Sequence, residues 1–150
     1  IQMPVQSAFI NWKQEPDEYL ESIMGKERAE RLNPLRTFNE NGIVVSCGSD
    51  APCTSPDPIV WIDKAVNNMN QSQAVSVQEA LTFDEKERGS LEAGKIADMV
   101  VLSDDLYSVD KKDIKNIKVE GLILSGKKYE SCRENVVKAV IRGMFSGNMA

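Results

Sequence analysis

Hydrophobic and polar positions change their period twice along the chain. Residues 1–10 (IQMPVQSAFI) form an apolar, extended stretch, although Pro4 lacks the N–H that a central strand would donate. Residues 15–32 are polar, with Tyr19, Leu20, Ile23 and Met24 at helical spacing. This predicts a helix from near Pro16, a break at Gly25 and a second short helix over 26–32. Asn33-Pro34 reads as an N-cap and first-turn proline opening a third helix that ends at Asn41-Gly42. Residues 43–47 are small or β-branched without polar alternation, the signature of a strand covered on both faces as in parallel sheets. A loop rich in Ser, Pro and Asp runs to Pro58. An amphipathic helix over 59–69 follows, with Ile59, Ile62, Val66 and Met69 along one face.

Ser76 with Glu79 three residues later predicts a capping box at the start of another helix, cut short by the charged run 84–88. The period then becomes that of strands. Residues 96–102 and 117–124 read as strands, and Ser125-Gly126 as a two-residue hairpin turn before 127–130. Over 134–145, Val136, Val137, Val140, Ile141 and Met144 return to helical spacing. The chain therefore starts as alternating strand and helix and ends as a small β unit with a helical tail.

Composition narrows the function. At 150 residues the chain is one ordinary domain in length, and 41% apolar with 27% charged residues suits a folded globular protein. Eighteen Lys and Arg against 23 Asp and Glu leave a net charge of −5, against nucleic-acid binding. No apolar run approaches the roughly 20 residues that cross a bilayer, so no membrane partner is expected. No basic-then-apolar leader is visible. The start at Ile1-Gln2-Met3 fits either a removed leader or the later part of a longer protein. The chain has no histidine. That excludes Ser-His-Asp and Cys-His catalysis, and a His-containing zinc site, within this chain alone. Cys47, Cys53 and Cys132 make an odd number with no C-x-x-C pair, which reads as reduced thiols and a cytoplasmic location.

Two motifs fail on inspection. Residues 89–95 match G-x-x-x-x-G-K, but Ile96 stands where Ser or Thr should hold Mg²⁺. The segment also leads into a strand rather than a helix, with Asp84, Glu85 and Glu87 upstream to repel a triphosphate, so a turn into a strand is the better reading. Cys47-Gly48-Ser49-Asp50-Ala51 is not G-x-S-x-G, and Ser49 has no histidine to take its proton. Asp50 stands out instead. A carboxylate just after a buried parallel strand lies where α/β barrels and doubly wound sheets place their chemistry, although it would also serve simply to cap the loop ahead of Pro52.

Several segments occur in a telling order: Asn33-Pro34-Leu35-Arg36, Gly42-Ile43-Val44-Val45, Gly48-Ser49-Asp50-Ala51-Pro52, Asp57-Pro58, Ser76-Val77-Gln78-Glu79-Ala80-Leu81, and the long block from Gly89 to Leu102. Over about residues 1–129 this series resembles the C-terminal part of metal-dependent amidohydrolases, in the branch labelled amidohydrolase-like or exoenzyme-regulatory proteins. The resemblance implies an α/β fold. Residues 1–83 would hold the last strands and helices of a (β/α)₈ barrel, 84–129 part of a small β-sandwich, and 130–150 a helical tail without counterpart. It implies hydrolysis of non-peptide carbon–nitrogen bonds in a small amide-like substrate. Asp50 would be both a metal ligand and the acceptor of the attacking water's proton. Gln6 and Arg36 are candidate substrate contacts at the barrel end.

The implied cofactor is a divalent metal, zinc as the expected ion, in the intact parent protein. This chain alone, lacking the family's metal-binding histidines and far short of a roughly 250-residue barrel, is expected to bind metal weakly and to be inactive. Its expected partners are the missing N-terminal barrel portion or a second copy. The alternative is a non-catalytic structural or oligomerisation module of a degenerate relative. Between Leu81 and Thr82 the family's polar, alanine-rich helix continuation is missing.

Overall fold

The computed structural model describes residues 2–81 and 87–129. The tail helix predicted over 134–145, Cys132, the Leu81–Thr82 junction and most of the charged run lie outside the described residues. The fold is mixed α/β with two small sheets. Strand β1 (Gln2–Val5) pairs in parallel with β2 (Val44–Cys47), Gln2 opposite Val44 and Val5 opposite Cys47. The pairing continues past both strands. Gly48 N–H donates to the Val5 carbonyl at 2.9 Å, and Ala8 N–H donates to the Gly48 carbonyl at 3.3 Å.

The connection between the two strands carries helices α1 (Asp17–Met24), α2 (Lys26–Ala29) and α3 (Leu35–Glu40). Gly25, at φ 82°, separates the first two as its backbone freedom predicts. Asn33 corrects the sequence reading. It is not an N-cap but sits at φ 49°, a left-handed conformation that Asn tolerates, and its carbonyl accepts from Leu35 N–H at 2.8 Å across Pro34. The tight turn about Pro34 displaces the helix start, and no side chain caps it.

Helix α4 (Pro58–Val66) begins as its sequence dictates, with Asp57 Oδ1 accepting from Ile59 N–H at 3.0 Å and Pro58 in the first turn. Its buried face is Ile59, Ile62, Ala65 and Val66. Met69 does not extend that face. The helix stops at Asn67, and Met69 is 59% exposed. The cover expected on both faces of β2 is likewise reduced. Val45 is buried, while Val44, Ser46 and Cys47 are half-buried, with β1 the one strand beside β2 among the described residues.

Helix α5 (Val77–Ala80) carries the predicted capping box in full: Glu79 N–H donates to Ser76 Oγ at 3.1 Å and Ser76 N–H donates to Glu79 Oε2 at 2.7 Å. The second sheet is antiparallel, in the order β3 (Met99–Leu102), β4 (Val119–Leu124), β5 (Lys127–Tyr129). Ser125 at φ 49° and Gly126 at φ 76° form the predicted hairpin turn, with the paired positive φ angles of a type I′ turn. One apolar cluster joins Leu35, Val45, the buried face of α4, Val75 and Ala80 to Leu106, Ile114 and Ile117. It therefore draws on residues from both sides of position 84.

Ile114 and Leu35 are wholly buried. Ile114→Ala is expected to cost about 3 kcal/mol, the lost transfer energy plus the cavity left behind, read as a lowered urea midpoint. The hydrogen bonds from Ser76 hold the Glu79 carboxyl below its ordinary value of 4.5, with the Arg36 charge adding to them. A depressed carboxylate stabilises the fold above its unfolded pKa and loses that contribution as pH falls. The stability difference between the native chain and Glu79→Gln is thus expected to be full above pH 4.5 and to shrink on acidification, measured by urea unfolding at pH 7 and pH 3.

Candidate functional site

Parallel pairing places the C-terminal ends of β1 and β2 side by side, and the candidate residues from the two strands lie there. Gln6 directly follows β1 and is exposed, its carbonyl accepting from Phe9 N–H at 3.1 Å in the short 3₁₀ turn Ser7–Phe9. Asp50 follows β2 by way of Gly48 and Ser49, and its carboxylate side chain is exposed. Gly48, which bonds to both Val5 and Ala8, fixes the two ends to each other.

The loop that presents Asp50 is bound to itself. Ser49 Oγ accepts from Ala51 N–H at 3.2 Å, Thr54 Oγ1 donates to the Ser49 carbonyl, and Cys53 N–H donates to the Asp50 carbonyl at 2.9 Å. Asp50 itself sits at φ 54°. That left-handed backbone is uncommon for a non-glycine residue and is tolerated best by Asn and Asp. The backbone bonds of the loop are thus satisfied internally while the carboxylate stays out of them.

Beneath the loop, Ser7 is fully buried and its hydroxyl donates to the Trp61 carbonyl of α4 at 3.1 Å. Burial pushes the neighbouring Cys47 thiol above its ordinary value, an effect the Ser7 hydroxyl partly offsets. Ser7 was not singled out by sequence, where a lone Ser in an apolar stretch is a weak signal, yet it ties β1, β2 and α4 together. Arg36 lies elsewhere. From α3 its Nε and Nη2 both donate to the Ala74 carbonyl, at 2.9 and 2.5 Å, which clasps α3 to the segment before α5.

The G-x-x-x-x-G-K look-alike is a stitched turn. Lys95 Nζ donates to Ser90 Oγ at 2.5 Å and pairs with Glu92 at 3.4 Å, and Ile96 N–H donates to the Glu87 carbonyl at 2.9 Å. Asp98 then accepts from Ser125 N–H at 2.8 Å and pairs with Arg88 at 3.3 Å, anchoring the turn to the hairpin. Among the described residues no three Cys, Asp or Glu side chains gather as a metal-holding group.

An α/β chain with a carboxylate presented at the shared C-terminal end of two parallel strands has the layout of a strand-end active site. The model of the amidohydrolase family matches residues 1–128, and the chain belongs to that family. It is 28% identical over 123 residues to YtcJ of Bacillus subtilis (strain 168), a protein named as an amidohydrolase; the match covers 69% of this chain and 23% of that protein. It is 30% identical over 128 residues to the N-substituted formamide deformylase of Arthrobacter pascens, covering 74% of this chain and 22% of that enzyme. The chain thus spans under a quarter of the length of these curated relatives. No solved structure matches it significantly.

Accessibility separates the two described thiols, since Cys53 is exposed and Cys47 half-buried with a raised pKa. Iodoacetamide at pH 8 is expected to alkylate Cys53 at least about tenfold faster than Cys47, because the thiolate is the reactive form. Peptide mapping by mass spectrometry reads the order.

Proposed function

We propose that this chain is the C-terminal portion of a hydrolase acting on non-peptide carbon–nitrogen bonds. In this reading β1 and β2 are the last strands of a (β/α)₈ barrel, and the β3–β5 sheet is part of a small β-sandwich. Asp50 acts as general base. It accepts a proton from water as the water oxygen attacks the substrate carbonyl, and returns that proton to the nitrogen as the carbon–nitrogen bond breaks. The observation that carries the reading is the position of Asp50 after β2, with its carboxylate free of the loop's backbone bonding, in a loop whose first residue, Gly48, is bonded to Val5 and Ala8. Family membership supports the reaction class.

Gln6 would orient a small amide-like substrate, a role that its exposure directly after β1 supports. Arg36 supports the reading as scaffold, since two of its nitrogens are engaged by Ala74. The donor set fits a divalent metal poorly on its own. Catalytic zinc takes three protein ligands as a rule, and the described residues bring no such group together. Asp50 would supply one ligand, and the rest, with any barrel closure, would come from the N-terminal portion of the parent or from a second copy. Free thiols at Cys47 and Cys53 support a cytoplasmic setting.

The test is Asp50→Asn in the full-length parent, assayed for release of amine from an N-substituted formamide and other simple amides. Loss of at least about a thousandfold in kcat, with the circular dichroism spectrum unchanged, is expected for removal of a general base acting at the reacting atoms. Retention of activity would sink the assignment. A parent inert towards every amide would favour the structural module instead.

A further inference from the structure

We propose that the cleft between residues 11–14 and the loop 52–56 binds a small carboxylate with an aromatic body. The cleft is about 680 Å³, within the range of small-molecule sites, and α4 closes it through Val60 and Lys64. Its charge is unusual for this protein. In a chain of net charge −5, the charged residues lining this cleft are Lys13 and Lys64, and no Asp or Glu lines it. A larger cleft, of about 880 Å³, runs the other way, with Glu15, Asp17, Glu21 and Glu30 on its walls beside Arg31.

Lys64 is half-buried, and among the described residues no carboxylate lies within ion-pair distance of it or of Lys13. Its Nζ reaches the Asn11 carbonyl at 3.4 Å, long for a hydrogen bond. A partly desolvated ammonium with so weak a partner gains from an anion that accepts its remaining N–H groups. Ser55 adds a donor: its Oγ accepts from Asp57 N–H at 3.3 Å, which leaves the O–H to donate outward. The wall opposite is aromatic, the Trp12 and Phe9 rings packing in a T-shape at 4.8 Å and 89°. An indole in the lining supplies apolar aromatic surface against which another ring can pack. Anion and ring together define the ligand class.

This site goes beyond the hydrolytic reading and requires none of it, although the two adjoin through Cys53, whose N–H bonds to the Asp50 carbonyl. The experiment titrates the ¹⁵N-labelled 150-residue chain with phenylacetate and, separately, with its neutral isostere phenylacetamide. Phenylacetate is expected to bind at least about fivefold tighter, the equivalent of roughly one charge-assisted hydrogen bond, with shifts on the Trp12 indole and around Ser55. Lys13→Met and Lys64→Met should each bring phenylacetate down towards phenylacetamide and leave phenylacetamide unchanged, while Lys64→Arg should retain most of the affinity. Lys13 is exposed, so its variant keeps the test open should Lys64→Met unfold. Equal affinities for the two probes, shifts confined to other surfaces, or a folded Lys13→Met indistinguishable from the native chain would each overturn the proposal. So would inorganic phosphate binding as tightly as phenylacetate, because the ring would then contribute nothing.

Discussion

The parallel pairing of β1 with β2 is the constraint on which the rest of the molecule depends. A parallel pair cannot be closed by a tight turn, so the chain must leave at the end of one strand and return at the start of the next. Here that detour carries α1, α2 and α3; α3 becomes part of the cover, while α1 and α2 bury no residue. Leu35 on α3 packs into the same apolar cluster as Val45 on β2 and Ile59, Ile62 and Val66 on α4. Parallel direction also means that both strands finish at the same end, so Gln6 and the loop that carries Asp50, far apart in sequence, both leave from that end.

The core then decides how firmly that end is held. Ser7, with no exposed surface, is a polar group in an apolar stretch, and its hydroxyl is satisfied by the Trp61 carbonyl of α4. Removing a partner from a buried polar group costs more than the bond contributes, so this single contact fixes the depth of β1 against α4. Gly48 does the same for β2 through its bonds to Val5 and Ala8. The Asp50 loop is therefore mounted on a braced platform, while its own backbone bonds are closed internally.

Much of this was legible in the sequence wherever the signal is local. The capping box of Ser76 and Glu79, the break at Gly25 and the Ser125-Gly126 turn each rest on a few adjacent residues, and each forms as read. Asn33-Pro34 misled because two local rules compete there: Asn favours caps and also tolerates left-handed backbone, and the turn about Pro34 selects the second. Met69 misled because periodicity continues in sequence after the helix has ended at Asn67. The roles of Ser7 and Arg36, and the positive cleft, are long-range. Ser7 meets α4, Arg36 meets Ala74, and Lys64 shares a wall with residues 52–56. No window along the chain contains both partners.

The same distinction bears on the candidate chemistry. A carboxylate can be found by its place after a strand, but what it can do depends on which charges face it, and those come from other elements. A lone exposed aspartate does little for hydrolysis by itself. It becomes useful in hydrolysis when other groups hold the water and the carbonyl in line with it, and in the proposed reading those groups would come from elsewhere, the chain spanning less than a quarter of each relative. The positive cleft differs in this respect. Lys13, Lys64, Ser55 and Trp12 all belong to this chain, so its affinity for an anion is set by groups already assembled here, whereas the reactivity proposed for Asp50 would depend on groups from elsewhere.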